Sequence, residues 1–131
     1  EFSCFSNISF EIVDTMEALV EGADVVVSCI TDANGVLLED TNKFKKGVLV
    51  VPVHTRGFQN CDTVFDKVFA DDTAHVRGFR YFEQFRQFGE IGDVLLGNIR
   101  GRESDEERIL SYNIGLGLLD VYYSQKIFDK L

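Results

Sequence analysis

Two places in this sequence carry side chains whose types and spacing suit chemistry. The first is Val53-His54-Thr55-Arg56, at the end of the apolar run "VLVVPV" of residues 48–53. An imidazole there can exchange protons near neutral pH, and a planar guanidinium two residues on can grip a carboxylate. The plainer readings are a loop histidine bonded to nearby backbone and a solvated arginine. The second place is "SYNIGLGLLD", residues 111–120, where Gly115-Leu116-Gly117 repeats the first half of the dinucleotide fingerprint G-x-G-x-x-G. The complete fingerprint needs a third small residue, and Asp120 stands at that position. It also needs a helix and a strand after it, and only 14 residues follow Gly117. The glycines therefore read as a helix start that packs closely or lets a ligand approach the backbone, with anion contact at the free N–H groups as a weaker option.

Lesser candidates surround these. Asp71 and Asp72 follow an apolar run and suit either a site or the cap of the next helix. Asp120 suits the positive end of a last helix. His75 reads as a surface residue, and Phe79, Phe82 and Phe85 read as core rather than as a stacking platform. No Ser/His/Asp triad and no metal cluster follow from the spacing.

The elements that must position these residues alternate. Residues 9–14 are a strand candidate, followed by a two-turn helix capped by Asp14 with Glu17 as its capping box and ending at Gly22. The β-branched run 23–30 suits a parallel strand buried on both faces. Residues 31–35 have turn chemistry, and a short helix precedes Gly47. Residues 48–53 form a second buried strand that Pro52 closes. A loop, then a short turn or helix near residues 62–65, leads to a third strand at 67–72. Residues 73–89 carry phenylalanines at helical spacing and predict one long helix despite Gly78. A short helix over 90–97, a charged connection, a last strand "ILSY" and a closing helix follow, with Leu116, Leu119, Tyr123, Ile127 and Leu131 on one side of that helix. Strands alternating with helices predict an α/β fold, a parallel sheet flanked by helices.

Composition narrows the function. The chain has 131 residues, 45% hydrophobic and 27% charged, which suits one domain with its own core. Its net charge of −9 argues against nucleic acid as the natural partner, because phosphate binding needs a basic surface. Cys4, Cys29 and Cys61 form no C-x-x-C pair, which argues against zinc and fits a reduced cytoplasmic protein. Cys29 reads as a small buried residue. No apolar run reaches membrane-spanning length. The start "EFSCFSNISF" lacks an initiator Met and reads as a sequence entered partway through.

The segments "GADVVVSCIT", "KKGVLVVPV", "FGEIGDVLLGNIRGR" and "NIGLGLLDVYYSQKIFD" come in the order and spacing of one family. From about Ser9 to Leu131 the chain resembles the ornithine cyclodeaminase and mu-crystallin family, most specifically in the last two segments. The resemblance implies the C-terminal part of a Rossmann domain that binds NAD or NADP, with the glycine-rich pyrophosphate loop outside this chain. It implies a homodimer and an amino or imino acid substrate, oxidised or reduced by the cofactor, in a piece inactive by itself. It places Ser28, Cys29, Ile30 and Thr31 beside the nicotinamide ribose, with Val53, Asn113 and Gly115 also at the cofactor. Gly115 and Gly117 match a helix start near the nicotinamide and substrate. The family's cyclodeaminases carry an Asp where this chain reads His54-Thr55-Arg56, and a Ser where it has Asn113. Both departures weaken ornithine cyclisation and leave His54 and Arg56 as the catalytic candidates, with another amino or imino acid as substrate. A non-catalytic binder of the mu-crystallin kind is the alternative. A self-contained flavodoxin-like module is disfavoured, for want of a phosphate loop or an acidic switch site early in the chain.

Overall fold

The computed structural model describes residues 7–31 and 35–131; Cys4 and most of the turn expected at 31–35 lie outside them. The two β-branched runs form β1, Val25–Ser28, and β2, Leu49–Pro52, paired in parallel with Val26 opposite Val50. Lys67–Ala70 is β3, Phe88–Glu90 is β4 and Ile109–Tyr112 is β5. The strand order is β1-β2-β5-β3-β4, and every pairing in it is parallel. The last strand thus enters the centre of the sheet, and all five carboxyl ends lie on one edge. Helices α1 (Met16–Val20), α2 (Thr73–Val76), α3 (Ile91–Leu96) and α4 (Gly117–Phe128) accompany the sheet. This is the expected parallel α/β class.

The core lies against one face of the sheet. Period-two alternation points Val26, Val50, Val68 and Leu110 to the same side, where Val20, Leu38, Phe44, Phe58, Phe65 and Tyr112 cover them. On the other face, Leu49, Val51, Phe69 and Ile109 line a cavity of about 390 Å³ under Ile91 and Val94. Farther out on that face Val25 and Val27 are more than half exposed. Burial of the first run on both faces is therefore a reading the structure corrects: β1 is an edge strand covered on one side only.

Several local expectations change. Residues 9–14 form no strand, and Phe10 and Ile12 are exposed. Thr15, not Asp14, caps α1, its Oγ1 accepting from the Ala18 amide at 3.1 Å, while the Glu17 carboxylate turns to the Glu39 amide. The helix expected before Gly47 is a single 3₁₀ turn, Thr41–Lys43, capped by Asp40. A second 3₁₀ turn, Gln59–Thr63, stands near the turn expected at 62–65.

The largest correction concerns residues 73–89. They hold one turn of α-helix, a 3₁₀ turn at Phe82–Gln84 and the strand β4. Phe82, Phe85 and Phe88 form a ring cluster, with centroids 5.1 to 5.9 Å apart, and Phe79 and Phe85 reach Tyr112. Edge-on aromatic packing of this kind and the pairing of Phe88 with Val68 outweigh the helical pattern, in a segment that Gly78 already weakens. The core reading of these phenylalanines stands, since Phe79, Phe82, Phe85 and Phe88 pack on the buried cluster.

At the opposite, amino edge of the sheet Lys67 is 2% exposed. Its Nζ donates to the Gly101 carbonyl and to Glu103, both at 2.6 Å, and meets Glu107 at 3.3 Å. Burial opposes its charge, but the two carboxylates outweigh that and hold its pKa above the ordinary value. Helix α4 forms where the sequence predicts it, yet none of its residues is buried. Among the described residues no helix is long and apolar enough to cross a membrane.

Candidate functional site

Parallel strands bring the candidate residues to one edge. The ladder runs one residue past each strand: the Val53 amide donates to the Ser28 carbonyl at 2.9 Å, and Asn113 to Pro52 at 3.0 Å. Farther along the same edge, Asp71 donates to Tyr112 at 3.0 Å. Because β1, β2 and β5 are neighbours, the ends that carry Ser28 to Thr31, Val53 to Arg56, and Asn113 to Gly115 form a continuous rim. The carboxyl rim of an open parallel sheet is where such folds place ligands.

At its centre Ser28 and His54 meet. The Ser28 Oγ, buried at the end of β1, lies 3.1 Å from the His54 Nε2. The other ring nitrogen, Nδ1, lies 2.7 Å from the Arg56 carbonyl oxygen. A carbonyl only accepts, so Nδ1 carries the hydrogen. In the neutral ring Nε2 then accepts the hydroxyl hydrogen of Ser28. Partial burial lowers the pKa of His54 and the Arg56 carbonyl opposes this, so the ring is neutral at pH 7. The two readings of His54 in the sequence therefore coexist. It bonds to loop backbone, and that bond leaves Nε2 as a proton acceptor.

The other candidates divide. Cys29 is exposed, which corrects the expectation of a small buried residue: the alternation that buries Ser28 turns its neighbour outward. Thr31 and Val53 are exposed and Ile30 is half-buried. The Arg56 side chain is exposed, while its carbonyl holds the imidazole. Asn113 lies on the other face of the rim, where its Nδ2 donates to Ser111 and its side chain borders the cavity under α3.

Gly115 has φ of +106°, a backbone conformation that favours glycine, and its amide donates to the Asp71 Oδ2 at 2.6 Å. Gly117 starts α4 with no neighbour among the described residues within 4 Å of where a Cβ would stand. The close packing expected of the pair is therefore not found among the described residues: Gly115 turns the chain, and both leave open space beside the backbone.

Asp71 and Asp72, which suit either a site or a cap, take one role each. Asp72 caps α2 through the Ala74 amide at 2.7 Å, and Asp71 ties Gly115 and His75 to the end of β3. Sequence reasoning misses the tie from Asp71 to Gly115, because 44 residues separate the partners. His75 is a surface residue as expected.

Comparison with known proteins follows the same line. Residues 3–131 match the profile of the Ornithine cyclodeaminase/mu-crystallin family. A "Nodulation efficiency protein NfeD" from Rhizobium meliloti is 33% identical over 124 residues, which are 89% of this chain and 38% of that protein. The chain thus spans well under half the length of that relative. Among solved structures, the Thermococcus litoralis Delta(1)-pyrroline-2-carboxylate reductase in complex with NADH and L-proline superposes with a TM-score of 0.75. It is 16% identical, over 90% of this chain and 41% of its own. A probable ornithine cyclodeaminase from Bordetella pertussis Tohama I has a TM-score of 0.65 at 18% identity, over 80% and 38% of the two chains. At these identities the structural likeness shows the shared fold.

Proposed function

The chain belongs to the ornithine cyclodeaminase/mu-crystallin family, and from that premise we propose that it is the C-terminal portion of the NAD(P)-binding Rossmann domain of an amino or imino acid oxidoreductase. The observation that carries this reading is the Ser28–His54 hydrogen bond on the carboxyl rim, with the imidazole oriented by the Arg56 carbonyl. A neutral histidine with Nε2 as acceptor, at the address where parallel sheets bind ligands, is equipped to take and return a proton.

The rim fits the nicotinamide end of such a cofactor. Cys29, Thr31 and Val53 are exposed along adjacent strand ends, and no described residue stands within 4 Å of where a Cβ on Gly115 or Gly117 would sit. Ile30 lies half-buried on the same strand end, with Ser28 turned to the core side and Asn113 to the face that borders the cavity under α3. When bound, a nicotinamide supplies the hydride exchange at the substrate carbon. His54 would hold the proton that the substrate nitrogen gains or loses, with Ser28 steadying Nε2. The Arg56 guanidinium would pair with the substrate carboxylate. The absence of an acid in residues 53–56 favours a substrate other than ornithine. It also supports a second reading, a non-catalytic small-molecule binder. We place the protein in the cytoplasm as a homodimer.

The test is a screen of the protein at its full natural length, with NADH and NADPH, against cyclic imino acids and amino acids including ornithine. Turnover with one of them is expected, and His54→Gln lowers kcat by roughly 10²- to 10⁴-fold. Ligand binding without turnover establishes the second reading. Unchanged kcat in His54→Gln removes His54 from the mechanism.

A further inference from the structure

Beneath the rim loop lies a buried polar node that the proposed chemistry does not use directly. Tyr112 ends the central strand β5 and is fully buried; Asp62, in the 3₁₀ turn after the loop, is 1% exposed. The Tyr112 hydroxyl donates to the Asp62 Oδ1 and accepts from the Phe58 amide at 2.6 Å. The same amide reaches Oδ1 at 2.9 Å. The loop lies close over this carboxylate, since a Cβ on Gly57 would stand 2.7 Å from Oδ2 and 3.5 Å from the Phe79 ring. Phe58 in turn sets its ring 6.4 Å from that of His54, and Arg56, two residues before it, holds Nδ1. The loop is thus strapped at both ends: by Ser28 at the end of β1, and by Asp62 and Tyr112 at the end of β5.

We infer that Asp62 and Tyr112 are positioning residues for His54, fixing through the Phe58 amide the loop that sets the imidazole's tautomer and its bond to Ser28. This rests on the reading of His54 as the proton-exchanging group, but its test does not. An apolar pair would fill the same space; the carboxylate and hydroxyl add two acceptors for one loop amide, which fixes its place rather than only burying it.

The experiment is nitrogen-15 NMR of the two histidines across pH, in the wild type and in Asp62→Asn, Asp62→Ala, Tyr112→Phe and Gly57→Ala. In the wild type His54 is expected to carry its proton on Nδ1 and to titrate below about 6.5. Asp62→Asn keeps an oxygen that accepts from both partners and should leave His54 unmoved. Asp62→Ala and Tyr112→Phe should mix the tautomers of His54 and bring its titration up toward about 6.5. Gly57→Ala presses on the node from the loop side without deleting a partner, and gives the same shift if the other two fail to fold. An unmoved His54 in Gly57→Ala and in any folded deletion variant overturns the inference. So does an Asp62→Asn protein in which His54 moves as far as it does in Asp62→Ala. If His54→Gln keeps its turnover while the NMR shifts appear, the functional reading fails and the positioning stands; the reverse pattern fails the positioning alone.

Discussion

The same buried carboxylate has a consequence for stability. Burial, only partly offset by the bonds from Tyr112 and the Phe58 amide, raises the pKa of Asp62 from 3.8 to about 6. The folded chain therefore holds a proton that the unfolded chain has lost between about pH 4 and 6, and stability falls as pH rises through that window. A rise of that size corresponds to roughly 3 kcal/mol. Asp62→Asn is expected to remove this fall, read as the urea midpoint from pH 4 to 7. A wild-type slope in Asp62→Asn would contradict it. His54 acts in the opposite sense: its pKa is lowered on folding, so it adds stability as pH rises toward about 6.5. The single variants separate the two. His54 was legible from its place after an apolar run. The Asp62–Tyr112 bond was not, because 50 residues separate partners that only the sheet brings together.

Among the elements, the strands were the most legible. The runs at β1, β2, β3 and β5 announce themselves by β-branched and apolar content, and each forms within the span expected. Helical spacing misled at residues 73–89, because phenylalanines three apart satisfy a ring cluster as well as they satisfy a helix face. Strand β3 also carries a residue that its pattern leaves unexplained, the buried Lys67. It anchors the charged connection 98–108 to the amino edge of the sheet through Gly101, Glu103 and Glu107. Lys67→Ala leaves a hole and an unpaired carbonyl and is expected to cost about 2–4 kcal/mol. Lys67→Met keeps most of the volume but leaves the Gly101 carbonyl and the Glu103 and Glu107 carboxylates without their cation, so it is expected to cost about 1–3 kcal/mol, less than Lys67→Ala by the packing it retains. Denaturant midpoints decide; equal losses in both variants would show that the ion pairs, not the packing, hold the connection.

At the scale of the molecule, one face of the sheet is sealed and other apolar surfaces are open. The 12 residues of α4 include Leu118, Val121, Ile127 and Phe128, all more than 60% exposed. A helix of that length is marginal alone in water, and such a surface favours association. Among the described residues, strand β1 adds an edge with no partner strand. The 131-residue chain is therefore expected to form dimers or larger assemblies at micromolar concentration, and a monomer by light scattering would refute this.

What the amino-acid order determined by itself was local: the strand-forming runs, the helix that closes the chain, an acidity that argues against nucleic acid as a partner, and the family motifs that point to a nucleotide domain. Alternation and side-chain chemistry act over a few residues, so they can be read there. Only the tertiary structure decided which of two acids caps a helix and which holds Gly115, that Cys29 faces outward, and that Ser28 reaches His54. Those outcomes depend on strand order and register, and contacts between distant segments follow from the packing of the whole sheet rather than from any stretch of sequence.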